Sequence, residues 1–186
     1  MDKTVQYCST CGADVEKGIP PGDDHPRYIC TACGCIHYQN PKLVVGCIPE
    51  YEDRILLCRR DIEPRRGKWT LPAGFLENGE SVREGALRET YEEARLRVEI
   101  IAPFRLFDLA FVNQLYLMFR ASITVPEFGP THESSEVRLF FENEIPWDDI
   151  AFPVIAKTLQ HYFSGRVKGQ FPFQSLELSE SSSAIT

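Results

Sequence analysis

Two Cys-x-x-Cys pairs near the start of the chain restrict its fold more than any other feature: Cys8 with Cys11, and Cys30 with Cys33. The 18 residues between the pairs are a spacing typical of two turns that bring four thiolates to one tetrahedral zinc ion. Unrelated or redox-active thiol pairs are the alternative. Because four protein ligands leave no open coordination position, we predict a structural Zn²⁺ that stabilises a segment too small to bury its own core.

The overall composition disfavours a nucleic-acid-binding, disulfide-rich or membrane protein. The 20 lysines and arginines stand against 27 aspartates and glutamates, a net charge of −7, which disfavours nucleic acid as a partner. Seven cysteines, an odd number, argue against a complete disulfide framework. The longest apolar run, Leu43–Ile48, is too short to span a bilayer, and residues 1–4 lead into polar sequence without an apolar signal core. We therefore expect a soluble, cytoplasmic protein that binds no membrane.

The composition divides the chain into a cysteine-rich segment (1–40), a body (41–165) and a tail (166–186). The tail is rich in serine and glutamate, and we expect it to be partly flexible and frayed from Ser175 onward. The body alternates strand-like runs with two helical patterns. The strand-like runs are Leu43–Pro49, Arg54–Arg59, Gln114–Thr124 and Val137–Phe141. The later helical pattern, Phe152–Phe163, is predicted to be a packing helix without chemistry of its own.

The earlier helical pattern carries the chemistry. Ser81 and Glu84 have the spacing of a capping box, which predicts a helix over Val82–Arg95. Its apolar stripe is predicted to be the packing face, and its glutamates gather on another face. The stripe consists of Leu87, Thr90, Tyr91 and Ala94. The glutamates are Glu89, Glu92 and Glu93.

Three carboxylates at positions i, i+3 and i+4 of a helix repel one another unless a cation lies between them. Oxygen-rich clusters of this kind suit Mg²⁺ or Mn²⁺. Gly85, one turn earlier, is expected to let an anion approach the backbone, and Arg88 lies close enough to orient a carboxylate. A solvated acidic face without a ligand is the ordinary alternative for such a charge run.

The surrounding residues decide between these interpretations. The stretch from Gly74 to Glu93 resembles the Nudix box. It consists of Gly74, five residues, Glu80, seven residues and then Arg88-Glu89-x-x-Glu92-Glu93. The preceding segment, Trp69–Phe75, is similar to the family's usual lead into the box. Two positions depart from the pattern. Thr90 replaces the usual aliphatic residue, and Arg95 replaces the usual glycine, which is expected to strain the turn or lengthen the helix.

The resemblance to Nudix hydrolases implies a Nudix α/β/α sandwich with a mixed β-sheet, preceded by a small zinc ribbon. It implies metal-assisted hydrolysis of a diphosphate that is linked to another group. Glu89, Glu92 and Glu93 would hold Mg²⁺ or Mn²⁺ together with the carbonyl of Ala73. Arg88 would orient a glutamate, and Glu80 would be a structural partner of the helix. The family often draws a further catalytic carboxylate from a loop outside the box, here Glu133 or Glu136; we expect Glu136, which directly precedes a strand.

Most of the chain resembles the plant plastid FAD and ADP-ribose pyrophosphatase group. This resemblance implies ADP-ribose or FAD as substrate and AMP as product. It is carried by Tyr38–Cys47, Leu56–Arg60 and Arg138–Phe140. The motif of the NADH pyrophosphatases is replaced by Ala102–Ala110, which leaves NADH as the alternative substrate. A non-catalytic nucleotide-sensing adaptor is the other alternative. The candidate substrate contacts are Arg59 and Arg60 for phosphate, and Phe75 and Phe107 for ring stacking. The resemblance also implies a homodimer.

Overall fold

The structure is a computed structural model, and it describes residues 5–180 of the 186-residue chain. The expectations for residues 1–4 and for the last part of the tail, 181–186, lie outside the described residues. The chain divides into two compact units, Met1–Pro41 and Lys42–Thr186. Among the described residues, no helix is long and apolar enough to cross a membrane.

The first unit is a three-stranded antiparallel sheet. Its strands are β1 (Val15–Gly18), β2 (Arg27–Cys30) and β3 (Ile36–His37). Each Cys-x-x-Cys pair turns back on itself through a glycine of positive φ, Gly12 at 75° and Gly34 at 68°, a conformation that glycine adopts without steric cost. The strands carry few buried apolar side chains, so the unit depends on its cysteines for cohesion.

The second unit is built on an eight-stranded mixed sheet flanked by two long helices, as the resemblance implies. Its strands are β4 (Lys42–Tyr51), β5 (Arg54–Arg60), β6 (Trp69–Thr70), β7 (Ala73–Phe75), β8 (Val98–Leu109), β9 (Gln114–Ile123), β10 (Ser134–Phe140) and β11 (Gln174–Glu177). The helices are α1 (Val82–Ala94) and α2 (Pro153–Lys168). The main order is β10-β5-β4-β9-β8-β11, with β6 paired to β5 and β7 to β4; β4–β9 and β8–β11 are parallel and the other pairs antiparallel.

The period-2 alternation of β4 decides which helix covers each face of the sheet. Val45 and Cys47 point to one face, where they pack with Ala86 of α1. Ile48 points to the other face and belongs to the core cluster that includes Leu159 of α2. The α/β/α arrangement is therefore confirmed, and helix 152–163 is confirmed as a packing element that extends to Lys168.

Helix α1 begins where the sequence predicts. The hydroxyl of Ser81 accepts from the N–H of Glu84, whose carboxylate accepts from the N–H of Ser81, so the capping box is complete. The predicted packing face is confirmed for Thr90 and Ala94, which are buried, and wrong for Leu87 and Tyr91, which are exposed. The buried face instead comprises Gly85, Ala86, Glu89, Thr90, Glu93 and Ala94. Two glutamates thus take the place of apolar side chains against the sheet.

The helix ends at Ala94, and Arg95 adopts the left-handed conformation with φ 55° and ψ 22°. Its N–H donates to the carbonyl of Tyr91 at 2.7 Å, which closes the last turn. Of the two outcomes expected from the missing glycine, strain at the turn is therefore observed, and the helix is not lengthened.

Replacing Arg95 by Gly should stabilise the protein by about 0.5–1 kcal/mol. A side chain in this conformation costs roughly 1–2 kcal/mol, and the entropy that glycine adds to the unfolded chain offsets about half of that gain. Equilibrium denaturation in urea measures the difference. Arg97→Gly is the matched control, because Arg97 has no positive φ and should lose stability. A destabilised Arg95→Gly variant would contradict the strain.

The four predicted strands are present, each within a few residues of its predicted ends. Strand β8 escaped prediction because register shifts at Ile100/Ala102 and Pro103/Arg105 interrupt its alternation. The tail prediction is corrected at Ser175, because Gln174–Glu177 pair in parallel with β8. This pairing supplies backbone hydrogen bonds that local composition does not reveal.

Candidate active site

Helix α1 and strand β7 approach so closely that a glycine is required between them. A β-carbon on Gly74 would overlap the carboxyl group of Glu89. On the other side of β7, a β-carbon on Gly46 would overlap Ala73 and the carbonyl of Pro72. The glycine that opens the box therefore lets the carboxylate of Glu89 lie directly on the strand.

Arg88 holds the carboxylates of this region in place. Its guanidinium donates to Glu80 at 3.0 and 2.7 Å, to Glu89 at 2.7 Å, to Glu92 at 2.9 Å and to the carbonyl of Phe75 at 3.1 Å. Glu80 also accepts from the N–H of Glu77, and the Arg88 guanidinium lowers the pKa of Glu80 to about 2. A carboxylate that is this firmly ionised and paired is a poor general base, so Glu80 acts as a structural partner, as predicted.

Glu93 is the chemically exceptional residue of the site. It is only 4% exposed, and its Oε2 is buried without a hydrogen-bond partner among the described residues. Burial, reinforced by the charge of Glu89, raises its pKa to about 8, although the nearby Arg60 charge and the N–H of Ala73 oppose the shift. Burial likewise raises the pKa of Glu89. A buried carboxylate with an unpaired oxygen lacks a compensating charge, which a divalent cation would supply.

The three glutamates do not form one compact ligand group. Within residues 5–180 their oxygens are not all within 4.8 Å of one another, because Arg88 lies between Glu89 and Glu92. Glu92 is exposed at the surface, whereas Glu89 and Glu93 face the sheet beside Ala73. The donor set nevertheless fits Mg²⁺ or Mn²⁺, since it combines hard oxygens with an orphaned buried carboxylate.

Gly85 has a different role from the expected one. A β-carbon there would lie 2.8 Å from Oε1 of Glu80, 2.8 Å from Leu76 and 3.0 Å from Val45 of β4. The residue is therefore buried against the sheet and cannot receive an anion. It allows the helix to pack closely on β4.

The two candidates for the carboxylate outside the box are in different environments. Glu136 lies on β10 with a side chain 48% exposed and 3.6 Å from Arg59. Glu133 precedes β10, and its negative charge adds to the effect of burial that raises the pKa of Glu89 and Glu93. The charge of Glu133 therefore acts on both buried glutamates, which makes Glu133 the candidate that we favour over Glu136. The strand was predicted to begin at Val137, but β10 begins at Ser134, so Glu133 directly precedes the strand and Glu136 lies within it.

The loop that carries Glu133 is anchored on both sides. Thr131 donates its hydroxyl to the carbonyl of Glu93 at 3.5 Å, and its Oγ1 accepts from the N–H of Glu133 at 3.2 Å. The carbonyl of Glu133 accepts from the N–H of Asp61 at 2.7 Å. These bonds hold the carboxylate-bearing loop beside α1.

The four predicted substrate contacts differ in their exposure and in their distance from the buried glutamates. Phe107 is wrong as a stacking residue: it is 0% exposed and packs in the core near His161, so no nucleotide ring can reach it. Phe75 is 44% exposed, with Nζ of Lys42 5.0 Å from its ring centroid. Arg60 lies near Glu93, while Arg59 lies at the Glu136 edge. Phe75 and Arg60 are therefore the better placed of the four.

The four cysteines converge as a zinc site requires. Their sulfur atoms all lie within 4.8 Å of one another, with Cys8–Cys33 at 3.7 Å and Cys11–Cys30 at 3.5 Å. Sulfur atoms of a tetrahedral site with zinc–sulfur bonds of about 2.3 Å are about 3.8 Å apart. The N–H groups of Thr10 and Cys33 point at the sulfurs of Cys8 and Cys30, both at 3.4 Å. The residues present therefore fit a tetrahedral Zn²⁺.

Each of the two structural units matches a known protein-family model. Residues 40–171 match the NUDIX domain model. The chain belongs to the NUDIX family. Residues 6–39 match the zinc-ribbon model described as Nudix N-terminal, so this NUDIX protein carries its ribbon directly before the catalytic-type domain.

The chain is similar over nearly its full length to a crystal structure of a NUDIX hydrolase from Nitrosomonas europaea, with 53% identity, a TM-score of 0.90, and coverage of 94% of this chain and 99% of that one. It is 29% identical to the NAD-capped RNA hydrolase NudC of Photobacterium profundum over 72% of this chain and 48% of that protein. It is 42% identical to an ADP-ribose pyrophosphatase of Methanocaldococcus jannaschii, over 32% of this chain and 35% of that protein. The chain thus spans about half the length, or less, of these curated relatives.

Proposed function

We propose that this NUDIX protein hydrolyses the phosphoanhydride bond of a nucleoside diphosphate linked to another group and releases AMP. The observation that carries the proposal is Glu93, a buried carboxylate with an unpaired oxygen beside Glu89. A surface charge run without chemistry would be solvated instead. A sensor that had lost catalysis would not be expected to keep this destabilising group.

In the proposed mechanism, Mg²⁺ or Mn²⁺ would be held by Glu89, Glu92, Glu93 and the carbonyl of Ala73. When bound there, such an ion would supply positive charge for the diphosphate and would lower the pKa of a water molecule. Arg88 orients Glu89 and Glu92 through the bonds described above. Glu133 accepts a proton from the attacking water, and Arg60 contributes positive charge near the diphosphate. Phe75 offers an exposed ring for stacking on a base.

ADP-ribose and FAD are the substrates that we favour, on the sequence likeness to the plastid pyrophosphatases. NADH is the second candidate. It is supported by NudC relatives that match over about three quarters of the chain, whereas the ADP-ribose pyrophosphatase matches over only a third. All three compounds contain an adenosine diphosphate half, so AMP is a common product.

Incubation of the purified protein with ADP-ribose, FAD or NADH, followed by chromatography, tests the proposal. Cleavage should require Mg²⁺ or Mn²⁺ and yield AMP with ribose 5-phosphate, FMN or reduced nicotinamide mononucleotide. These products show that the phosphoanhydride bond is cut, and the relative rates identify the preferred substrate. Binding without cleavage of any compound would support the sensor instead. Cleavage that is fastest with NADH would establish the second candidate.

A paired substitution tests the carboxylate outside the box. Glu133→Gln should lower turnover by about 10²–10³-fold, since it removes a proton acceptor beside the ligands. Glu136→Gln should change turnover less than about threefold, because that half-exposed side chain pairs with Arg59. Rates at saturating ADP-ribose or FAD measure both. The reverse order of effects would restore Glu136.

A further inference from the structure

A second group of metal-ligating atoms lies next to the four-cysteine site. The sulfurs of Cys8 and Cys35 and a ring nitrogen of His37 are all within 4.8 Å of one another. Cys8 belongs to both groups, whereas Cys35 and His37 belong only to the second. The predicted zinc ligands are therefore only part of the candidate ligand atoms of the ribbon.

The backbone places both additional side chains close together. Cys35 directly precedes β3 and His37 ends it, and their ligand atoms lie within 4.8 Å of each other. The carbonyl of Cys35 accepts from the N–H of Cys30 at 2.9 Å, and His37 is in register with Tyr28 of β2. The sheet that positions Cys30 thus also positions Cys35 and His37.

The local contacts leave one ring nitrogen of His37 without a hydrogen-bond partner. Nε2 of His37 is buried and has no hydrogen-bond partner within the described part of the chain. Thr10 lies between the two sulfurs: its N–H donates to Cys8 at 3.4 Å and its hydroxyl donates to Cys35 at 3.7 Å. An imidazole nitrogen and a supported thiolate side by side are the donors that soft divalent ions prefer.

We propose that Cys8, Cys35 and His37 form a second site for a zinc-class ion, with Cys8 as a thiolate that bridges it to the four-cysteine site. Three protein ligands leave the fourth tetrahedral position to solvent, so this ion binds more weakly and exchanges faster than the first. Charge also favours it, because one Zn²⁺ with four thiolates carries two excess negative charges in a small unit. Arg27 of β2 is already paired with Asp23 at 2.9 Å.

The competing explanation is that His37 donates a hydrogen bond to the thiolate of Cys8 and binds no ion. Proximity of this kind contributes to the low pKa of Cys8, about 5, where burial alone would raise it and the N–H groups of Thr10 and Cys11 lower it. The two explanations differ in stoichiometry, since a hydrogen bond adds no second ion.

Titration of the full-length, reduced, metal-free protein with Co²⁺ separates them. Excess Mg²⁺ occupies the carboxylate site, and near-ultraviolet sulfur-to-cobalt absorption reports only thiolate-bound cobalt. The absorption should rise through two equivalents in the unchanged protein and stop at one in Cys35→Ser and in His37→Ala. The first, tighter equivalent should remain in both variants.

His25→Ala is the matched control, because His25 is an exposed ribbon histidine beside Asp23 and Asp24, outside the proposed site. It should retain two equivalents. Saturation of the unchanged protein at one equivalent would overturn the proposal whatever the variants do, and would leave His37 as a hydrogen-bond donor. Loss of the second equivalent in His25→Ala but not in His37→Ala would place the ion elsewhere and overturn it as well.

Discussion

Replacing Glu93 by Gln should lower turnover at least about 10³-fold while leaving the fold intact. Gln has nearly the same shape, but it cannot supply the negative charge that the metal requires, and metal assistance contributes several kcal/mol to catalysis. The buried, unpaired Oε2 of Glu93 makes this the most sensitive position of the box. Rates with ADP-ribose or FAD in Mg²⁺ measure the loss. Glu127→Gln, at an exposed position, is the control, and near-normal activity of Glu93→Gln would remove the metal assignment.

Glu93→Gln should also make the folded protein more stable at high pH when no divalent ion is added to bind the carboxylates. Because the folded pKa of Glu93 is about 8, against 4.5 ordinarily, the folded protein holds a proton that the unfolded chain releases. Stability is therefore lost progressively as the pH rises from about 4.5 through about 8. Glu93→Gln should consequently be more stable than the unchanged protein at pH 8, by on the order of 3 kcal/mol, and similar at pH 4.5. Urea denaturation at both values measures this, and equal stability at pH 8 would contradict the burial argument.

Replacing Cys30 by Ser should release zinc from the four-cysteine site and unfold the first unit. Binding of structural zinc contributes about 10–16 kcal/mol in small domains, and this unit has almost no apolar core to replace it. Elemental analysis should show the loss of the tightly bound zinc, and limited trypsin digestion should cut at Lys17 or Arg27. The second unit, residues 42–186, has its own core and should stay folded.

Cys35→Ser is the control for this experiment, because it should keep the zinc bound by the four cysteines. Unchanged zinc content in Cys30→Ser would contradict the assignment of the ligands. Equal zinc loss in both variants would instead show that Cys35 belongs to the first coordination sphere.

Local patterns in the sequence were sufficient for features that depend on spacing alone. The two cysteine pairs converge as predicted, and Ser81 caps α1 with Glu84. The box from Gly74 to Glu93 identified the family and hence the mixed sheet with its two helices. In each case, the residues that contact one another lie in one element or recur at a spacing that the sequence itself displays.

Burial in the core was decided only by the tertiary structure. The apolar rule placed Leu87 and Tyr91 inside, yet α1 buries Glu89 and Glu93, because Gly74 brings the strand within reach of the carboxylates. Phe107 looked available for stacking, but β8, a strand with no readable alternation, carries it into the core. Long-range packing, not residue type, assigned these positions.

The sequence by itself determined which chemical groups this protein has: four thiolates at zinc-ligand spacing and a helix with three carboxylates behind an arginine. Only the tertiary structure decided which of those groups face one another. It placed Glu133 where its charge acts on Glu89 and Glu93, and it brought Cys35 and His37 to Cys8. The physical reason is that sequence spacing restricts neighbours along one element, whereas proximity between a loop, a strand and a helix depends on how the whole sheet packs.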